Sequence, residues 1–226
     1  MKLSVVIPIY NERESLAELL ARVRGVDVDK EIICVDDYST DGSRDVLAEE
    51  AKQGDLVVIE HAVNRGKGAA VQTGLRAISG DVVVIQDADL EYDPQDYLVL
   101  LRPIVMGRAK VVYGSRFLGE HRAMRFWHAV GNKGLTLVTN LLYDTTLTDM
   151  ETCYKMFTAD VARKITLREA RWGFDPEITA RILRAGYRIY EVPISYAGRE
   201  YHEGKKISWR DGFTVLRTLV RCRFTE

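Results

Sequence analysis

An α/β fold built on a doubly wound, mostly parallel sheet is what this 226-residue chain predicts, and three observations predict it. Short runs of β-branched residues alternate with stretches of helical periodicity through the first half of the chain. The run Val82-Val83-Val84-Ile85 shows no polar alternation, as a strand covered on both faces requires. The polar turns Asn11-Glu12, Asp36-Asp37 and Asp87–Asp89 each follow such a run, and right-handed crossovers would line those turns up along one edge of the sheet, where open α/β sheets hold their ligands.

The elements follow in order. Leu3 to Ile7 reads as the first strand and Pro8–Glu12 as the turn after it. Leu16, Leu19, Leu20 and Val23 then recur at helical spacing. Glu31 to Val35 is a second strand ending in Asp36-Asp37. Ser39–Ser43 is a turn that caps a helix over Arg44–Lys52. Leu56 to Glu60 is a third strand, and the basic loop Asn64-Arg65-Gly66-Lys67-Gly68 leads into a helix over Ala69–Ile78. The fourth strand is Val82–Ile85, and Val111–Ser115 is a further short one. Arg125 to Tyr143 is helical and apolar, with Phe126, Val130, Leu137 and Leu141 on one side and Trp127, Leu135, Val138 and Leu142 beside them. That pattern suits a core helix, and equally a surface that meets a lipid chain. A last helix from Ser208 carries Trp209, Phe213, Leu216, Val220 and Phe224 in one stripe, with Arg210, Arg217 and Arg221 on an adjacent face. It reads either as a helix docked on the core or as one lying on an anionic membrane.

Composition narrows the function classes. A net charge of −1 gives no general attraction to nucleic acid, and no apolar run approaches the length of a membrane span. The N-terminus reads as a strand rather than a signal peptide. Cys34, Cys153 and Cys222 are odd in number and far apart, which points to free thiols in a reducing compartment. Basic charge is concentrated at the end: residues 205–226 hold six Lys or Arg against two acidic side chains.

Chemistry concentrates after the fourth strand. Asp87, Asp89 and Glu91 fall at every second position. Hard oxygen donors at that density suit Mg²⁺ or Mn²⁺ with phosphate oxygens completing the shell; the plainer reading is a solvated acidic turn before a helix that starts at Asp93-Pro94. The glycine loop lacks the Gly-Lys-Ser/Thr ending of a Walker loop. It is either a turn into a helix or, by its position, a set of amides facing an anion.

Five pieces carry a more specific resemblance: Pro8-Ile9-Tyr10-Asn11-Glu12, Val35–Gly42, Asn64–Ala70, Asp87-Ala88-Asp89-Leu90 and Gly114-Ser115-Arg116-Phe117. In this order and spacing the chain resembles family 2 glycosyltransferases of the GT-A fold. The Asp-Ala-Asp-Leu-Glu and Gly-Ser-Arg forms are similar to the polyprenyl-phosphate branch typified by dolichyl-phosphate mannose synthase. Thr148–Lys155 and Glu191–Ile194 extend the likeness over nearly the whole chain.

The resemblance implies a single GT-A domain over residues 1–204, with a nucleotide-sugar and metal half (1–120) and an acceptor half (121–204). Residues 205–226 then form a basic loop and an amphipathic helix. It implies that Pro8, Tyr10, Glu12 and Asp37, with Asn11, Lys67, Asp87 and Ala88, hold the nucleotide-sugar. Asp87, Asp89 and Glu91 would hold Mg²⁺ or Mn²⁺, Glu91 standing where the family usually has Gln. Asp89 and Arg116 carry catalysis, Arg116 by gripping a phosphate. Arg116, His128, Asn132, Arg199, Lys205 and Lys206 face the acceptor phosphate, His128 and Asn132 replacing an Arg and a Ser of relatives. The implied reaction is inverting, metal-dependent transfer of a hexose from GDP-mannose or UDP-glucose to a polyprenyl phosphate. It would take place at the cytoplasmic membrane face, with room for a membrane-anchoring subunit and no role for nucleic acid. A saccharide hydroxyl acceptor would instead need a carboxylate base, for which Asp149, Glu151, Asp175 and Glu177 are candidates. A non-catalytic nucleotide-sugar-binding subunit is the third reading.

Overall fold

The structure, a computed structural model, describes residues 1–171, 173–198 and 211–225. Seven strands form one sheet: β1 Leu3–Ile9, β2 Lys30–Asp36, β3 Leu56–Glu60, β4 Val82–Ile85, β5 Val111–Ser115, β6 Lys155–Thr158 and β7 Ile189–Pro193. Their order is β3-β2-β1-β4-β6-β5-β7. Every neighbouring pair is parallel except those of β6, which runs antiparallel to β4 (Val82↔Thr158) and to β5 (Val111↔Phe157). The sheet is therefore continuous across residue 120, and β5, from the first half of the chain, pairs only with strands of the second.

The helices are α1 Arg13–Arg24, α2 Ser43–Glu50, α3 Lys67–Ala77, α4 Tyr97–Val105, α5 Phe126–Tyr143, α6 Ala159–Lys164, α7 Phe174–Arg184 and α8 Asp211–Phe224. The apolar runs fix the middle of the sheet. All four side chains of β4 are buried, as are those of Val5, Val6, Ile7, Ile33, Cys34 and Val35, and each such large aliphatic side chain contributes about 1.5–3 kcal/mol. β1 is longer than the sequence predicts and includes Pro8. A proline fits there because the pairing with β4 stops at Val6↔Ile85, leaving that side of Pro8 without a ladder to interrupt. α3 starts two residues earlier than predicted, at Lys67, because Gly66 turns the chain with a φ of 96°. α2 stops at Glu50 and gives way to a 3-10 turn, Ala51–Gln53.

The two apolar helices depart from the core reading. α5 buries Thr136 and Thr139 and partly buries Leu135, Val138 and Leu142. Its predicted apolar side is in solvent: Phe126 is 69% exposed, Leu137 57% and Leu141 77%. α8 does dock, but through Val215, Thr218, Leu219 and Cys222, while Phe213, Val220 and Phe224 of the predicted stripe are exposed. Val215 and Leu219 pack with Leu147 and Met150 in a small second core beside α5. The Tyr143 hydroxyl donates to the Leu219 carbonyl (2.7 Å), and Arg221 pairs with Glu169 (2.8 Å). Ser208, Trp209 and Arg210 lie outside the described residues. All three cysteines are free and buried, and no described helix is long and apolar enough to cross a membrane.

Candidate active site

The carboxyl ends of β1, β2 and β4 open on one side of the sheet, and the reversed β6 brings the loop before it to that same edge. Around this meeting point lies a cavity of about 1220 Å³. Pro8, Tyr10, Glu12, Asp37 and Asn64 line one end. Lys67, Asp87, Asp89, Arg116, Glu151 and Asp175 line its middle. Trp127, Val130, Leu135, Val138, Val215 and Leu216 line an apolar end between α5 and α8.

The turn after β4 is held from beneath. Gln86 is wholly buried, and its Oε1 accepts from the hydroxyls of Tyr97 and Tyr154 (both 2.6 Å) while its Nε2 donates to the Asp87 carbonyl (2.9 Å). Ser15 Oγ donates to the Ala88 carbonyl (2.7 Å), and the Glu91 amide donates to Asp89 (3.2 Å). Leu90 takes a left-handed φ of 60° to close the turn, a conformation unfavourable for its side chain. Asp87, Ala88, Asp89 and Glu91 all reach the cavity. Asp87 accepts from the Lys67 ammonium (2.8 Å), and Glu91 Oε2 accepts from the Tyr196 hydroxyl (2.8 Å).

Two buried or half-buried cations, Lys67 and Arg116, line the cavity and a third, Lys155, is buried beneath it, and each has a carboxylate. Lys67 pairs with Asp87; Lys155, fully buried, donates to Asp175 (2.6 Å); and Arg116 grips Asp149 through Nε (2.7 Å) and Nη2 (2.8 Å). The Arg116 amide adds a third bond to Asp149 (3.0 Å). Burial works against each charge, but Asp87 and Asp175 outweigh it and hold the Lys67 ammonium well above its ordinary range. Burial likewise opposes the Arg116 charge, while Tyr92 and Asp149 raise it. For Asp175, burial is outweighed by Lys155 and Lys67, which keep its carboxyl below the usual range. Glu151 is the exception. Its Oε1 is buried and has no hydrogen-bond partner among the described residues. Burial and then the charge of Asp175 push its carboxyl up to about 7, against Lys155 and Arg116.

These contacts sort the predicted residues. Pro8, Tyr10, Glu12, Asp37, Lys67, Asp87, Ala88, Asp89, Glu91, Arg116, His128 and Asn132 share the cavity wall. Asn11 does not line it: at a left-handed φ of 55° it accepts from the Thr40 amide (2.8 Å) and ties the turn after β1 to that after β2. Asp37 turns its carboxylate to the glycine loop, accepting from the amides of Arg65 (2.8 Å) and Gly66 (2.6 Å) and from His61 (2.7 Å). The loop amides thus already have an internal anion. The loop's glycines answer to packing, since a Cβ at Gly68 would stand 2.3 Å from the Glu169 carbonyl. Arg199, Lys205 and Lys206 lie outside the described residues.

Of the four candidate bases, Asp149 and Asp175 are held in ion pairs, and Glu177 accepts from the amides of Arg168 (2.8 Å) and Glu169 (2.7 Å). Tyr196 and Arg171 also line the cavity. No motif singles them out, and only the fold brings them there.

Among the described residues no three His, Cys, Asp or Glu side chains lie close enough to enclose a metal ion. What the turn offers is a pair of hard oxygen donors, Asp87 and Asp89, on one cavity wall. That donor set fits a divalent cation that takes the rest of its shell from phosphate and water.

Comparison with known proteins gives the class. Residues 4–166 match the model of glycosyl transferase family 2. The chain belongs to that family, and it is a glycosyltransferase. It is 32% identical over 220 residues to an undecaprenyl-phosphate mannosyltransferase of Micrococcus luteus, covering 91% of this chain and 87% of the other. It is 30% identical over 229 residues to a dolichol-phosphate mannosyltransferase of Pyrococcus furiosus, covering 98% of this chain and 63% of the other. A protein of Methanocaldococcus jannaschii without an assigned activity is 29% identical over 223 residues, covering 96% and 90%. Among solved structures, glucosyl-3-phosphoglycerate synthase of Mycobacterium tuberculosis with Mn²⁺, uridine diphosphate and glucosyl-3-phosphoglycerate superposes with a TM-score of 0.75 at 19% identity, over 98% of this chain and 80% of the other. The fold is thus the expected GT-A arrangement.

Proposed function

We propose that this enzyme moves a hexose from a nucleoside-diphosphate sugar, GDP-mannose or UDP-glucose, to a polyprenyl phosphate, with inversion at the sugar carbon. The observation that carries this reading is the cavity itself. Its polar end lies at the carboxyl ends of strands β1, β2 and β3, its middle holds the charged residues, and its far end is an apolar passage between α5 and α8. A lipid phosphate fits both requirements, a charged head in the middle and an apolar tail in the passage. The names of the similar enzymes, which act on undecaprenyl or dolichol phosphate, support the same acceptor.

In this reading Pro8, Tyr10 and Glu12 bound the nucleoside end, and Asp37 shapes it by holding the glycine loop. Asp87 and Asp89 hold Mg²⁺ or Mn²⁺, with Glu91 beside them on Tyr196. Such a cation would supply charge neutralisation for the departing diphosphate. Arg116, oriented by Asp149, offers its remaining N–H donors to a phosphate oxygen. The acceptor phosphate is already ionised at neutral pH, so its oxygen attacks without a base. His128 and Asn132 border its approach. The exposed apolar rows of α5 and α8, with the basic residues around them, rest on the cytoplasmic membrane surface, where the acceptor tail lies. A separate membrane-anchoring subunit is compatible with that placement.

Transfer of radiolabelled sugar from each donor to a short polyprenyl phosphate, with and without Mn²⁺, tests the proposal. Metal-dependent label in the organic phase is the expected result. Donor hydrolysis with no lipid product would overturn the acceptor assignment.

A further inference from the structure

The cavity floor contains a carboxyl group that none of the contacts above uses. Lys67, Lys155 and Arg116 each have a carboxylate within 2.6–2.8 Å, so the buried cations there are matched. Glu151 is the fourth carboxyl group. It lines the cavity, and its Oε1 is buried without a hydrogen-bond partner among the described residues. Native structures seldom leave a buried polar atom unpaired, and this one belongs to the carboxyl group of a residue that lines the cavity. The groups around Glu151 are Asp175 on α7, Lys155 on β6, Arg116 after β5 and Asp149 in its own loop.

We infer that Glu151 binds substrate as a carboxylic acid, donating its proton in a hydrogen bond to a phosphate oxygen of the donor diphosphate or of the acceptor lipid. The inference rests on the lipid-phosphate reading above. Two arguments favour the acid over the carboxylate. Both substrates are anions, and an unpaired carboxylate beside them would repel them, whereas a short O–H···O⁻ bond attracts them. The field already acting on Glu151 favours the proton: burial and Asp175 hold the group at about 7 before any anion arrives, and an incoming phosphate acts in the same direction. Substrate binding above neutral pH therefore carries a proton in with it. A phosphate acceptor gives a carboxylate base at this position nothing to deprotonate.

The test is calorimetry of the full chain with Mg²⁺ present, titrating a nucleoside diphosphate and a short polyprenyl phosphate separately at about pH 8 in two buffers of different ionisation enthalpy. The wild-type protein is expected to take up close to one proton with one of the two ligands, which identifies the phosphate that Glu151 meets. Glu151→Gln, which keeps an N–H donor but cannot titrate, is expected to take up none. It is also expected to bind that ligand about tenfold more tightly than wild type one pH unit above the wild-type midpoint. Glu151→Ala binds it weakly at every pH. The lipid's own ionisation is common to all three proteins and cancels in the comparison. Equal proton uptake by wild type and Glu151→Gln, or none with either ligand, overturns the inference. So does a Glu151→Gln protein that binds both ligands normally yet transfers no sugar at any pH, the mark of a general base. Failure of wild-type transfer to lipid would count against the acceptor reading alone, since proton uptake with the nucleotide would remain.

Discussion

Two half-buried glutamates at opposite edges of the sheet show what burial does and does not decide. Glu31 sits at the start of β2, where Lys2 Nζ (2.8 Å), Ser4 Oγ (2.5 Å), the Ser79 amide (2.6 Å) and the Gly80 amide (3.0 Å) all donate to it. Burial alone would raise its pKa, but those donors overcome it and bring the carboxyl down to about 2. Glu151, before β6, has a buried Oε1 without such donors among the described residues and lies at about 7. Burial pushes both carboxyls the same way, and the outcomes differ because one edge is stitched together by donors and the other faces a cavity. The amino edge ties β1, β2 and β4 to one another, and the carboxyl edge leaves its polar groups for a ligand.

The strongest way to sharpen that contrast is Asp89→Ala, at the carboxyl edge. Transfer is expected to fall by at least about 10³-fold with the circular dichroism spectrum unchanged; near-normal turnover would remove Asp89 from the chemistry. Arg116→Ala breaks the buried pair at that edge and leaves the Asp149 charge uncompensated. A loss of about 3–5 kcal/mol in denaturant unfolding is expected, together with lost transfer, and an unchanged midpoint would refute the pairing.

The two glutamates themselves should respond with opposite signs. Glu31 has a lowered folded-state pKa, so its stabilisation is complete above the unfolded value of about 4.5 and disappears as pH falls toward 2. Glu31→Gln should cost about 2 kcal/mol at neutral pH and leave the KM values unmoved. Glu151 has a raised pKa, so the folded state loses stability as pH climbs from about 4.5 through 7. Glu151→Gln should therefore stabilise the ligand-free protein at pH 8 by on the order of 1–3 kcal/mol. Thermal unfolding of both variants across pH reads the two signs, and a shared sign would break the comparison. The smallest expected change in folding is for Trp127→Ser combined with Phe213→Ser. Both side chains are in solvent, so stability should move by less than about 0.5 kcal/mol. Partition onto anionic vesicles should weaken about tenfold, and unaltered partition would exclude this face from the membrane.

The parallel strands β1 to β4 were legible because they are apolar runs followed by polar turns. β6 was not: Lys155–Thr158 is four residues long and begins with a lysine, so neither period nor composition marks a buried strand. Motif reading named many of the residues of the cavity wall but not which way each side chain turns. Asn11 and Asp37 are at the right turns, yet both direct their side chains into neighbouring loops, because orientation at a strand end depends on partners that arrive from elsewhere in the chain. The same holds for the four acidic candidates near residues 149–177. Their types and spacing are equivalent in sequence, and only the positions of Arg116, Lys155 and the 168–169 amides distinguish Glu151 from the rest. On α8 the apolar stripe was correctly located but lies on the opposite side from the docking surface.

The reversed strand also has a consequence for how the molecule is made. β6 joins β4 to β5, so a chain that has left the ribosome only as far as β5 can pair β1 to β4 but leaves the far side of β4 bare. Such an open hydrophobic edge attracts other chains, and the contact that covers it comes from far downstream, the kind that forms slowly. The loop carrying Asp149 and Glu151 arrives with that contact. The cavity cannot be complete before that step closes the sheet, and nucleotide affinity during refolding should lag behind helix formation.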